Sequence, residues 1–137
     1  MKIEDANVPY KRGSHLTYRC NYHVVFCPKY RRPVLVNGVD VYLKILLSDL
    51  SKEFDFDIIE MEVMSDHVHI LVDVNPRFGI MNLINRIKGI SSRRIREKYP
   101  ELKKRLPCLW TRSTFISSVG CVELNDIRKY IENQKGV

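Results

Sequence analysis

Apolar residues recur along this chain with two different periods, and the switches between them divide it into elements. From Thr17 to Cys27 the period is two. Tyr18, Cys20, Tyr22, Val24 and Phe26 share one face, and Arg19, Asn21, His23 and Val25 share the other. Pro28-Lys29-Tyr30-Arg31-Arg32-Pro33 ends this first strand as a basic loop, and Asn37-Gly38 is a turn signal. From Asp40 the period lengthens: Leu43, Leu46, Leu47, Leu50 and Phe54 mark a helix. Phe56 to Met64 alternates again, with Ile59, Met61 and Val63 inward and Glu60 and Glu62 outward. After a tight turn at Ser65-Asp66, Val68, Ile70, Val72 and Val74 form an unbroken aliphatic row, and His67, His69, Leu71 and Asp73 point the other way. Ile80, Leu83, Ile84, Ile87 and Ile95 mark a second helix that ends by Pro100. Trp110 to Val119 fits a fourth strand, closed by Gly120.

The order strand, helix, strand, strand, helix, strand is the split βαβ, ferredoxin-like pattern. The expected fold class is α+β: an antiparallel βαββαβ sheet with both helices on the face that receives Val68 and Ile70. That leaves the histidine face bare. The natural lid is a last helix over residues 123–135, in which Ile127, Tyr130, Ile131 and Gln134 fall on one side. Residues 1–15 read as a loosely attached N-terminal arm, and residues 1–137 as a single domain.

Two imidazoles stand out on the bare face. His67 and His69 lie roughly 6.5 Å apart along the strand backbone. Two neutral imidazoles so placed can share one divalent cation. The alternative is a pair of half-buried histidines, each bonded to a nearby carbonyl. The pattern favours the cation, because both sit on the polar side of an otherwise aliphatic strand. Tyr130 and Gln134 are one helical turn apart and project together. Docked on the histidine face, they bring a phenol and an amide oxygen to the metal. A tyrosine with its hydroxyl in water and a glutamine fraying at the terminus fit the same spacing.

Charge adds a partner. The net charge of +7 is local: residues 77–112 hold 11 Lys/Arg against 2 Glu, and the rest of the chain holds 12 basic and 14 acidic residues. Arg86, Arg93 and Arg96 share one stripe of the second helix, which also carries Lys88, and Lys103-Lys104-Arg105 follows. A concentrated basic surface with no apolar face beside it points to nucleic acid rather than membrane; a solvated helix face would read the same way. In the loop of Lys29, Tyr30, Arg31 and Arg32, a tyrosine among cations could stack on a base. No apolar run approaches a membrane span, and Met1-Lys2-Ile3-Glu4-Asp5 is no signal peptide, so a cytoplasmic protein is expected. Cys20, Cys27, Cys108 and Cys121 form no CxxC pair, and Cys20 and Cys27 face opposite sides of one strand. Free, mostly buried thiols are the expectation.

His67-Val68-His69 resembles the motif of the HUH single-strand nucleases, in which U is a bulky apolar residue. The whole chain resembles the small single-tyrosine transposases of the insertion sequence two hundred class. Four stretches carry the resemblance, in the family's order: residues 22–31, residues 65–72, the strand with Trp110, Phe115 and Ser118-Val119-Gly120, and Tyr130 with Asn133-Gln134. The resemblance implies an enzyme that cleaves and rejoins single-stranded DNA at element ends. Tyr130 would be the nucleophile, giving a 5′-phosphotyrosine and a free 3′-OH. His67, His69 and Gln134 would hold Mg²⁺ or Mn²⁺. It further implies homodimers acting on hairpin-bearing DNA, with an active site composite in trans. Two other classes remain: a non-catalytic nucleic-acid binding module, which usually displays aromatics on its open sheet face, and an HUH replication initiator or nickase, which normally carries extra domains.

Overall fold

The computed structural model describes residues 11–12, 17–18 and 20–120. In chain order the elements are β1 (Lys11–Arg12), β2 (Thr17–Tyr18), β3 (Asn21–Phe26), α1 (Val39–Glu53), β4 (Asp57–Val63), β5 (Val68–Asp73), α2 (Ile80–Lys98), α3 (Glu101–Arg105) and β6 (Phe115–Gly120). The helix expected over 123–135, with Tyr130 and Gln134, lies outside the described residues.

Four strands pair in the order β4-β5-β3-β6, every pair antiparallel. Each helical crossover skips one strand, which is what a split βαβ unit does. Two helices and one sheet face enclose the core. Val68, Ile70 and Val72 of β5 are fully buried against Leu43 and Leu47 of α1 and Leu83, Ile84, Ile87 and Ile95 of α2. The period-two and period-3.6 stripes read from the sequence therefore meet. Gly38, at φ 99, lets the chain turn into α1, and a Cβ there would also press on the Tyr99 hydroxyl at 3.2 Å.

Tertiary packing moves three boundaries. The first strand splits in two: Thr17–Tyr18 pairs with Lys11–Arg12 as a separate ribbon, so part of the expected arm is paired chain. In β4 the register shifts between Ile58 and Glu60. A bulge reverses the alternation on one side of it, so Ile58, not Ile59, packs on the core together with Met61 and Val63. The last strand begins at Phe115 rather than Trp110. Trp110 makes an isolated bridge with Pro28, packs edge-on against Phe26 at 4.7 Å between ring centroids, and donates its indole N–H to Ser91 Oγ at 3.0 Å. A large ring with one donor settles where it can bury both, and that takes Trp110 out of the sheet.

The cysteine expectation also changes. Cys27 and Cys108 are free, but Cys20 is disulfide-bonded, with its partner outside the described residues. The antiparallel return of β6 brings Gly120 opposite Asn21, next to Cys20. That neighbour comes from topology, which spacing within one strand does not reveal.

Candidate active site

The histidine face of the sheet is built by β5 and β3. His69 lies opposite Val25 of β3 and Glu62 of β4, and His23 lies one pleat further along β3, opposite Leu71. Diagonal neighbours of this kind are within reach of ring side chains. The His23 and His69 rings stack with centroids 5.1 Å apart and planes at 19°, and His23 Nδ1 is 2.9 Å from His69 Nε2. One imidazole donates that bond and the other accepts it.

His67, at the start of the same face, is held differently. Its Nδ1 lies 2.9 Å from Asp66 Oδ1, and the Arg31 Nε–H donates to Asp66 Oδ2 at 3.0 Å. The bond from His67, with the charge of Arg31 behind it, holds the Asp66 carboxyl below its usual range. With the proton on Nδ1, His67 keeps the Nε2 lone pair free for a cation. His67 thus has the donor chemistry of a divalent-metal ligand, an imidazole with its tautomer set by a carboxylate, whereas His69 Nε2 is engaged by His23 Nδ1 and would reach a cation only in exchange for that bond. Among the described residues no cluster of three or more His, Cys, Asp or Glu side chains is arranged to hold a metal ion. The third ligand expected from the sequence, Gln134, lies outside them, as does Tyr130.

The basic loop projects from the end of β3. Tyr30 and Arg31 take left-handed backbone conformations, φ 59 and φ 52, which cost of order 1–3 kcal/mol each for residues other than glycine. Bonds from Arg31 N to Pro28 O and from Lys29 N to Leu109 O, both 2.8 Å, pin the loop. Tyr30 stands 66% exposed, with Lys29 Nζ 5.3 Å from its ring centroid. An exposed aromatic beside Lys29, with Arg31 and Arg32 next in the chain, has the make-up of a base-stacking platform.

On α2 the expected cations separate. Arg86 and Arg93 are exposed. Arg86 sits over the Phe54 ring at 5.9 Å and, with Phe78, Asn82 and Asn85, lines a cleft of about 450 Å³. Arg96 is half-buried, and its Nε has no hydrogen-bond partner among the described residues. Lys88, also expected as a nucleic-acid contact, is engaged within the chain. Its ammonium donates to Thr111 O at 2.7 Å and Thr114 Oγ1 at 2.9 Å, with Ser113 O and Arg112 O at 3.3 and 3.5 Å. Partial burial lowers its pKa from the ordinary lysine value. The reason is helical phase: Lys88 sits about 160° around the helix from Arg86, toward the loop that leads into β6.

A family model described as "Transposase IS200 like" matches residues 16–134. The chain belongs to the IS200-like transposases. It is 40% identical to the ISDra2 transposase TnpA of Deinococcus radiodurans over 126 residues, 90% of each chain. It is 30% identical to the transposase for insertion sequence element IS200 of Salmonella typhimurium, covering 90% of this chain and 82% of that one. A crystal structure described as a Deinococcus radiodurans R1 transposase superposes with a TM-score of 0.74 at 34% identity, over 90% of this chain and 97% of that one. A REP-associated tyrosine transposase bound to a REP hairpin shares the fold at a TM-score of 0.57 and 13% identity, over 88% and 67%. Transposition consists of cutting DNA strands and joining them elsewhere, so the activity of an IS200-like transposase is that of a DNA endonuclease and strand transferase. Among the described residues no helix is long and apolar enough to cross a membrane.

In this transposase periodicity puts His23 on the histidine face and marks no contact with His69. Nothing in the spacing of residues 31 and 66 signals contact; the bridge depends on the turn before β5 folding back against the loop after β3.

Proposed function

We propose that this transposase cleaves and rejoins single-stranded DNA at insertion-sequence ends through a covalent link to Tyr130. The phenol oxygen attacks the scissile phosphorus and loses its proton. The bond from phosphorus to the 3′ oxygen breaks, and that oxygen leaves as a 3′-OH, with the 5′-phosphate held on Tyr130. Bond energy is kept in the phosphotyrosine, so a 3′-OH can reverse the step without ATP. His67, His69 and Gln134 would hold a divalent cation, which would supply positive charge to stabilise the phosphate as negative charge develops on it. Two imidazoles and an amide suit Mn²⁺ better than Mg²⁺ by ligand softness. The observation that carries this reading is the histidine face itself, where His67 has its Nε2 left free by the Asp66 bond.

The substrate is hairpin-bearing single-stranded DNA, and the working unit is a homodimer in which Tyr130 of one subunit serves His67 and His69 of the other. The REP hairpin in the structural relative supports the first part, and exchange of an identical element between subunits is a low-cost route to a dimer. The test is incubation of the full chain with single-stranded DNA from the element ends and Mn²⁺ or Mg²⁺, followed by a denaturing gel. A protein–DNA band that survives denaturation is the expected result; cleavage without one excludes a covalent intermediate.

Phosphates bind along Arg86 and Arg93 and at the exposed loop of Lys29 to Arg32. Each contact contributes about 0.7 to the slope of log affinity against log salt on single strands. Arg86→Gln and Arg93→Gln are each expected to flatten that slope by this amount. Lys88→Met is expected to leave the slope alone and to lower stability by about 1–3 kcal/mol, because the loop carbonyls lose their donor. Fluorescence titrations at several salt concentrations and denaturant unfolding check the two effects separately.

A further inference from the structure

Asp66 sits in the turn between β4 and β5, bonded on both sides. One carboxylate oxygen takes the His67 Nδ1 bond at 2.9 Å, and the other takes the Arg31 Nε bond at 3.0 Å. Arg31 comes from a loop whose backbone is held in an uncommon conformation at Tyr30 and Arg31, the two residues that aim its side chain at the turn. The Arg31 side chain is 69% exposed, so the ion pair on its own contributes little to stability. Its consequence lies in the histidine.

A neutral imidazole carries one N–H, and the nitrogen that carries it cannot bind a metal. A carboxylate accepting at Nδ1 places the proton there, fixes the ring orientation and raises the basicity of Nε2. We propose that Asp66 is the positioning residue that prepares His67 as a metal ligand, and that Arg31 keeps the Asp66 carboxylate turned toward it. This rests on the reading of His67 as a ligand. It assigns Arg31 two partners, the carboxylate through Nε and a phosphate through its exposed end, so the basic loop and the metal site share one residue.

Two measurements on the full chain test it. Long-range ¹H–¹⁵N NMR of the metal-free protein reports which ring nitrogen of His67 is protonated. Mn²⁺ titration followed by electron paramagnetic resonance reports affinity without cleavage. In the wild type, His67 is expected as the Nδ1–H form. In Asp66→Ala, the ring is expected to shift toward the Nε2–H form and Mn²⁺ to bind about 10–100-fold more weakly. Asp66→Asn retains a neutral acceptor and is expected to recover part of the affinity; Arg31→Gln is expected to lose less than Asp66→Ala. Wild-type tautomer and wild-type affinity in Asp66→Ala overturn the proposal. If that variant does not fold, the same comparison is read from Asp66→Asn and Arg31→Gln, and unchanged values in both overturn it. Equal Mn²⁺ binding by wild type and His67→Ala overturns the ligand reading, and the positioning role with it.

Discussion

Tyr130→Phe is expected to bind single-stranded DNA as the wild type does and to form no covalent product. The substitution removes one hydroxyl oxygen and keeps the ring, so packing changes little, yet the bond to phosphorus has no atom left to form it. A phenol with a pKa near 10 is a weak nucleophile at neutral pH, which is why the reading pairs it with a cation. The measurement is the denaturing gel, with binding followed separately by fluorescence anisotropy. Adduct at the wild-type rate would move the nucleophile to another tyrosine. The same variant tests the subunit arrangement. Refolded together with the double variant His67→Ala/His69→Ala, it forms heterodimers in which, for a site composite in trans, one site pairs an intact tyrosine with intact histidines. Adduct then reappears. In a cis arrangement every site lacks one component, and a mixture with verified heterodimers stays inactive.

His67→Ala and His69→Ala are each expected to reduce cleavage by ~10²–10⁴-fold, and EDTA to do the same to the wild type. Charge stabilisation by a bound metal amounts to several kcal/mol, and each 1.36 kcal/mol is tenfold in rate. Both side chains are half-buried, His69 on β5 and His67 immediately before it, on the side away from the core, so alanine there removes a ligand without opening a cavity beneath α1 or α2. Gln134→Ala is expected to weaken cleavage without abolishing it, since an amide is the poorest ligand of the three. Full activity in EDTA would remove the cation from the reaction.

The β5 strand was legible in the sequence because its information is local. Val68, Ile70 and Val72 need a core and His67 and His69 need the other side, and a period of two is the one arrangement that satisfies both. The helical stripes of α1 and α2 were legible for the same reason: Leu43, Leu47, Leu83 and Ile87 are buried where the 3.6 period puts them. Together these periods dictate the βαββαβ order, and the short hairpin between β4 and β5 leaves little freedom in how the strands pair. Where local preference meets a tertiary demand, the tertiary demand prevails. Ile59 follows the alternation perfectly and loses its place to Ile58, because the bulge is a property of the pairing with β5 and not of β4 alone.

The chain by itself determined the period of its main elements and, in β5, the separation of His69 and Leu71 from the buried row of Val68, Ile70 and Val72. What tertiary structure alone decided is which side chains touch. Lys88 reads as one more cation of a basic helix until the loop of Thr111 to Thr114 folds over it and takes up its donors. His23 reads as a face residue until pairing of β3 with β5 stacks it on His69. Arg31 reads as a free cation until the turn at Asp66 comes alongside, 35 positions further along the chain. Periodicity reports the direction of a side chain relative to its own element. A contact requires the relative placement of two elements, and that is set by the packing of the core they share.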